Sequence, residues 1–281
     1  EYVTSHTYFN LTATDDKSGV NKTLYRIWWK NGWTTWITYN GNFTLTGENK
    51  HYLEFYSIDN AGNIEKTHNQ THYVDDTPPT TAIEYDEPYY VKNKTVWVTR
   101  NTTIHFKTND QPMYASGVNS TWYKVDDGTW KTYDKPFTVP EECKHTIYYY
   151  SVDHLRNTEK TRNQTLYVDN TPPKTTLKIE GPYLGNPFTS KPFFVTTHTH
   201  FLLYSKDNQS ECNVGTRNIY YRIWNIYSGW SNWMIYQNGP FSTPGFTLKE
   251  ECLHYIEYYS DDYLGNKETV HNISCYVDNT P

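Results

Sequence analysis

The stretch HYLEFYSIDNAGNIEKTHNQTHYVDDTPP, His51 to Pro79, returns as HTIYYYSVDHLRNTEKTRNQTLYVDNTPP at His145 to Pro173, and as HYIEYYSDDYLGNKETVHNISCYVDNTP at His254 to Pro281. A long segment repeated three times with its landmarks in the same order restricts the chain to a series of like modules. Each copy runs from an alternating apolar/polar stretch through an Asp-, Asn- and Gly-bearing loop into a second alternating stretch, and ends in a Pro linker. That is the signature of a β-hairpin followed by a break. Trp36 and Trp130, His51 and His145, and Val74 and Val168 are all 94 residues apart; the next step grows to 103 at Trp130/Trp233 and 109 at His145/His254. Periods near 100 are too long for solenoid repeats and suit small independent domains. The expected division is 1–79, 80–173 and 174–281, the third copy carrying insertions.

Copy two is complete. Thr81 to Tyr85 open it as a short strand after Pro78-Pro79; Thr102 to Phe106 form a second; STWYKV follows the loop NDQPMYASGV as a third. A Trp-x-x-Tyr-x-x-x-Phe pattern recurs at Trp36/Tyr39/Phe43 and Trp130/Tyr133/Phe137, and with one extra residue at Trp233/Tyr236/Phe241. Helical periodicity is missing and turn signals come every eight to twelve residues. The expected fold is all-β: tandem immunoglobulin-like or fibronectin-like β-sandwiches of about seven short antiparallel strands each. Copy one aligns only from Tyr2-Val3-Thr4, opposite Trp97-Val98-Thr99, so it lacks the first strand. The sequence is read as cut from a longer repeat array; a strand lent by a neighbouring subunit is the alternative.

Aromatic residues make up 17% of the chain and charged residues 20%, with a mean hydropathy of −0.85. Disordered chains are poor in aromatics, so a folded β protein with Tyr- and Trp-filled cores is expected, including Trp28, Trp29, Trp33, Trp36, Trp224, Trp230 and Trp233. A net charge of −6 offers no basic field for nucleic acid. No apolar run is long enough to span a membrane, and no export signal is visible. Ten Asn-x-Ser/Thr sequons, at Asn10, Asn21, Asn42, Asn69, Asn93, Asn101, Asn119, Asn163, Asn208 and Asn272, point to N-linked glycans. Asn69, Asn163 and Asn272 hold the same place in all three copies.

The succession Asp15-x-x-Ser18-Gly19-Val20, the Asp127-Gly128-x-Trp130 turn, Tyr56 to Glu65 (YSIDNAGNIE) and the D-x-T-P-P linkers resembles the immunoglobulin-like repeats of bacterial and archaeal cell-surface proteins. The resemblance covers essentially the whole chain, with Arg156 departing where Gly62 and Gly265 stand. It implies an extracellular, prokaryotic array of the surface-layer, adhesin-stalk or glycosylated-filament type, or an accessory region of a secreted enzyme.

Four cysteines fall one in copy two and three in copy three. Cys252 and Cys275 are placed symmetrically about the Asp262–Gly265 turn, which predicts a cross-strand bridge in the last hairpin. Cys143 and Cys212 lie at the ends where consecutive domains meet, which predicts an interdomain staple, with free thiols as the alternative. Asp-bearing loops and linkers gather at the same ends: Asp15, Asp16 and Asp59; Asp75, Asp76, Asp110 and Asp153; Asp169, Asp207, Asp261 and Asp262. Hard oxygen donors from two loops and a linker suit Ca²⁺. The plainer reading is that each Asp caps its own turn. No nucleophile elbow, zinc-protease helix or phosphate loop is present, so no catalysis is expected. The sequence therefore points to a structural component of an extracellular assembly that self-associates. A carbohydrate-binding or adhesive array taking surface glycans, or a non-catalytic accessory region, is the alternative.

Overall fold

The structure is a computed structural model, and it describes residues 1–111, 113–189, 191–207, 212–236 and 245–280. Asn208 and Phe241 lie outside the described residues. The chain is all-β, with no helix among the described residues. It divides into two compact units, one of residues 1–84, 104–136 and 146–164, the other of residues 85–103, 137–145 and 165–281. The division passes through the second repeat.

In the first unit, the long strand Val20–Trp29 pairs with Asn49–Asp59, which pairs with His68–Val74. The short strand Tyr2–Val3 closes that sheet by lying parallel to His68–Val74, Tyr2 against Tyr73 and Val3 against Val74. The same unit holds Val118–Val125, paired antiparallel with Lys131–Thr132 and with the Ile147 to Asp153 part of the strand Cys143–Asp153. It also holds residues 80–84 of the strand Thr80–Tyr85, which forms a two-stranded ladder with Ile104–Asn109. In the second unit, Lys174–Glu180 pairs antiparallel with His200–Lys206. The larger sheet there runs from Tyr183–Leu184 through Phe193–Val195, His271–Val277 and Leu253–Asp262 to Thr216–Asn225. Each repeat contains a parallel pairing, as in Phe193–Val195 against His271–Val277.

The third repeat shows why these residues form a sandwich. Strand alternation puts Leu177, Phe201 and Leu203 of the two-stranded sheet on one core with Phe193, Ile219, Ile256, Ile273 and Cys275 of the larger sheet. The tandem immunoglobulin-like sandwich expected from the repeats is the fold observed.

Tryptophan is the exception to the expected core. None is fully buried. On the strand Val20–Trp29, Tyr25, Ile27 and Trp29 share one face while Arg26 and Trp28 take the other. Arg26 lies between the rings of Trp33 and Trp36 at 4.5 and 4.6 Å, and its guanidinium is paired with Glu54 at 2.6 Å. The third repeat rebuilds this with Arg222 at 4.4 and 4.7 Å from Trp230 and Trp233, paired with Glu257. A planar cation fits between two indole faces, so these rings are used on the outer surface of the sheet.

A buried polar anchor recurs on the core side. In the second repeat Thr81, 1% exposed, donates its N–H to Glu159 Oε1 at 3.1 Å and its hydroxyl to Glu159 Oε2 at 2.7 Å; its Oγ1 also lies 2.6 Å from Ser151 Oγ. In the third, Thr175 bonds Glu268 and Ser260 in the same way. Glu268 is held below the usual carboxylate range, because hydrogen bonds from Thr175, Ser260 and His271 outweigh burial. Replacing Thr175 by Val keeps the shape and the backbone N–H but removes the hydroxyl that a buried carboxylate accepts from; a loss of about 1–3 kcal/mol is expected in urea unfolding.

Candidate metal centres

Each carboxylate of interest sits where a strand stops. Asp75 follows His68–Val74, Asp110 follows Ile104–Asn109, and Asp153 ends Cys143–Asp153. The three place one oxygen each within 4.8 Å of the others. Asp169, Asp207 and Asp262 do the same in the second unit, from the corresponding positions, and all three are buried. Both groups join the tail of one repeat to two loops of the next.

The local chemistry repeats atom for atom. Asp153 Oδ1 accepts from Asn157 N at 2.8 Å, and its Oδ2 from Asn157 Nδ2 at 2.7 Å; Asn157 Nδ2 also donates to the Asp75 carbonyl at 3.0 Å. Asp262 and Asn266 reproduce this, with Asn266 Nδ2 donating to the Asp169 carbonyl at 3.0 Å. Gly117 N donates to Asp110 Oδ2 and Gly215 N to Asp207 Oδ2, both at 2.8 Å. Gly117 and Gly215 have φ of 86° and 94°, a backbone region that costs glycine little. Asp75 Oδ2 accepts from Ser116 N at 2.6 Å, and Asp169 Oδ2 from Val214 N at 2.8 Å.

Backbone donors therefore hold the carboxylates in place, yet they do not neutralise three negative charges. No Lys, Arg or His forms an ion pair with Asp75, Asp110, Asp153, Asp169 or Asp262 among the described residues. Asp110 Oδ1 is buried without a hydrogen-bond partner. Burial, with Asp75 beside it, raises the Asp110 carboxyl above its ordinary range. Asp262 is pushed up to about 6, by burial first and by Asp169 in addition, against the hydrogen bonds from Asn266 and Leu264. Like charges packed out of water titrate upward unless a cation joins them. Oxygens on opposite sides of a Ca²⁺ ion stand about 5 Å apart, which is the span of these groups.

The first repeat assembles no such group. Asp15 accepts from Gly19 N and Ser18 N, both at 2.8 Å, and Asp59 from Asn63; both carboxyls are held below their ordinary value by these bonds, led by Gly19 N–H for Asp15 and the Asn63 side chain for Asp59. Of the other candidates, Asp16 is exposed, Asp76 accepts from Ser5 N, and Asp261 accepts from Asn218 N and the Tyr220 hydroxyl. Asp15 and Asp59 accept from N–H groups of their own turns, whereas Asp76 and Asp261 accept from residues distant in sequence. Sequence placed all eleven aspartates near repeat ends; the three-residue selection came from strand termini that only folding brings together.

Cys143 and Cys212 are bonded, with Cα atoms 4.8 Å apart. The bond joins the second repeat to the third and closes within one compact unit. The expected Cys252–Cys275 bridge is not formed: both thiols are free. The hairpin register is two residues off the symmetric one, since His254 faces Cys275 and the Cys252 carbonyl accepts from Val277 N. Cys275 is fully buried, and burial followed by the neighbouring Cys252 pushes its thiol up to about 12. At pH 8 in the native state iodoacetamide is expected to label the half-buried Cys252 and leave Cys275 intact, as peptide mass mapping reads. Equal labelling of the two would contradict this geometry. All nine described sequon asparagines are exposed.

No protein-family model and no curated protein matches the sequence. Among solved structures the chain is similar to the three N-terminal domains of the outer capsid protein Hoc of bacteriophage RB49, at 8% identity over 96% of this chain and 92% of that one, with a TM-score of 0.43. It is also similar to the FN1–FN3 domains of chicken CNTN1, at 10% identity over 92% and 90% with a TM-score of 0.33. A bacterial ice-binding adhesin gives 12% identity over 92% and 90%, with a TM-score of 0.32. All three likenesses are distant.

Proposed function

We propose that this chain is a non-catalytic structural component of an extracellular or cell-surface assembly: a glycosylated array of immunoglobulin-like repeats whose successive repeats are tied together by Ca²⁺ and by one disulfide. The observation that carries the reading is the rebuilding of one three-carboxylate group at Asp75/Asp110/Asp153 and again at Asp169/Asp207/Asp262, each drawing on the tail of one repeat and the loops of the next. A turn-capping role explains one Asp at a time and does not explain why three are packed together out of water. The Cys143–Cys212 bond spans the same kind of boundary, and structural disulfides belong to oxidising compartments. Exposed sequons leave room for a glycan coat, and self-association of such arrays produces filaments or layers.

Calorimetry of the full chain tests the metal: after stripping with EDTA, added Ca²⁺ raises the melting temperature, and Asp207→Asn removes the gain contributed by its own group. A melting temperature indifferent to both EDTA and Ca²⁺ rejects calcium. Electron microscopy of native material tests the assembly. The adhesive alternative draws on the exposed Trp33, Trp130 and Trp230. Arg26 and Arg222 already occupy ring faces of Trp33 and Trp230, which removes a flat surface a sugar needs. Binding of an unglycosylated chain on a glycan array favours that alternative.

A further inference from the structure

The two-stranded sheet of the third repeat turns one face to its core and the other to solvent. Its pairing sets Lys174 opposite Lys206, Thr176 opposite Tyr204 and Lys178 opposite Leu202. Thr175, Leu177 and Leu203 take the buried side, so alternation puts those three pairs on the outer face, where Lys174, Lys206, Thr176, Tyr204 and Lys178 are exposed. A cleft of about 610 Å³ opens there, lined by Lys174, Lys206, Thr176, Tyr204, Pro172 and Asp207 among others. Clefts of that size suit small ligands.

The charges in this cleft are unbalanced. Lys178 is paired with Glu180 at 2.5 Å, whereas neither Lys174 nor Lys206 has an ion pair among the described residues. Asp207 in the wall is only 5% exposed; its Oδ2 accepts from Gly215 N at 2.8 Å, and its carboxylate belongs to the group with Asp169 and Asp262. Like charges directly opposite each other on a sheet destabilise it, so the lysine pair is a cost that an anion between them would offset. The second repeat carries no such cost. Thr80 and Asn109 stand where Lys174 and Lys206 do, the Thr80 hydroxyl donating to the Asn109 carbonyl at 3.3 Å; Lys107, in the place of Tyr204, is paired with Glu84 at 3.9 Å. The third repeat has Lys178 in the place of that acid and sets a tyrosine ring, 45% exposed, beside two facing ammonium groups.

We propose that this cleft is a binding site for an acidic saccharide. The Lys174 and Lys206 ammonium groups both donate to one carboxylate or sulfate of the sugar, while Tyr204 and Pro172 lie against its apolar C–H faces. Thr176 Oγ1, which donates to the Tyr204 carbonyl at 3.3 Å, accepts from a sugar hydroxyl. A nucleic acid is disfavoured because affinity for it grows with the number of phosphates neutralised, and this is one lysine pair on a chain of net charge −6. An acidic peptide would use the lysines but leave the exposed tyrosine face idle. The site lies on the other sheet from Trp230 and Trp233, so it is separate from the tryptophan surface of the adhesive alternative. It goes beyond the assembly reading without resting on it, and it needs no metal at the aspartate groups.

Isothermal titration calorimetry of the full chain tests it, in EDTA so that no Ca²⁺ bridges sugar to carboxylate. The probes are trigalacturonate, a chondroitin sulfate tetrasaccharide, neutral maltotriose and tetraglutamate. Saturable binding of an acidic sugar is expected, weakening as salt is added, and none of maltotriose or tetraglutamate. Lys174→Gln and Lys206→Gln are each expected to weaken it about tenfold, the scale of one hydrogen bond to a charged group. Tyr204→Ser is expected to weaken it as well, and Lys107→Gln on the second repeat to change nothing. The melting temperature of the two lysine variants is expected to stay level or rise, because a repulsion is removed, so lost binding is not lost folding. Acetylation of Lys174 and Lys206, read by peptide mass mapping, is expected to slow when the sugar is bound. Failure of both acidic sugars to saturate the chain overturns the proposal, as does undiminished binding in the double lysine variant. Equal binding of tetraglutamate overturns the saccharide in favour of a peptide site, and equal binding of maltotriose overturns the role of the charges.

Discussion

Removing the Cys143–Cys212 bond, by the double Cys→Ser change or by reduction, is expected to cost roughly 4 kcal/mol of stability and lower the melting temperature by on the order of 10 °C. The cysteines are 69 residues apart, so the bond closes a long loop and restricts the unfolded chain strongly. The loop contains the linker Asp169-Asn170-Thr171-Pro172-Pro173 and the Asp169 and Asp207 carboxylates, so the reduced chain is also expected to hold Ca²⁺ less tightly. Reducing the double variant is expected to change nothing more, since Cys252 and Cys275 are free. A second drop on reduction would show that the last hairpin is bridged after all.

The metal-free chain is expected to lose stability as pH rises from about 4 to about 6. Asp262 is the main source. Its carboxyl goes from an ordinary 3.8 to about 6 on folding, so the folded state holds the proton more tightly. The contribution is fully present below the unfolded value and is lost as pH rises through the folded one. Two units of difference are worth about 3 kcal/mol. Asp110, also raised, acts in the same direction in the other group. Glu268 acts the opposite way: its lowered carboxyl gives stability that is lost only as pH falls below its ordinary 4.5. Urea midpoints measured against pH in EDTA therefore descend between 4 and 6 and then level off. Asp262→Asn flattens that descent while keeping an acceptor for the Leu264 and Asn266 N–H groups. Ca²⁺ at a hundred times its Kd restores about 2.7 kcal/mol per site at pH 7. A midpoint that rises from pH 4 to 6 in EDTA excludes the buried, uncompensated carboxylates described above.

The sequence was most legible where a rule has a fixed period. Alternation before each Tyr-Ser-x-Asp element specified the strands Asn49–Asp59, Cys143–Asp153 and Leu253–Asp262, and the Pro-rich linkers marked the end of the strands that follow them, such as His68–Val74 and Arg162–Val168. It was least legible where a one- or two-residue offset decides the outcome. Symmetry about a turn paired Cys252 with Cys275, but the register places Cys275 opposite His254, because the turn closes through Asp262 N and the Asn266 carbonyl. Tryptophans were assigned to the core by size. Arg26 and Arg222 hold Trp33, Trp36, Trp230 and Trp233 on the outer surface instead, a preference for a cation that hydrophobicity alone does not express.

By itself the sequence determined the repeated all-β modules, the pairing of Cys143 with Cys212, the sequon positions and the pool of aspartates at repeat ends. These follow from local periodicity, covalent reach and composition, which are properties of the chain in one dimension. The tertiary structure alone decided which three aspartates meet, and that five of the six have no ion pair with a Lys, Arg or His among the described residues. Those outcomes depend on strands distant in sequence ending at one place in space, and no local pattern carries that information.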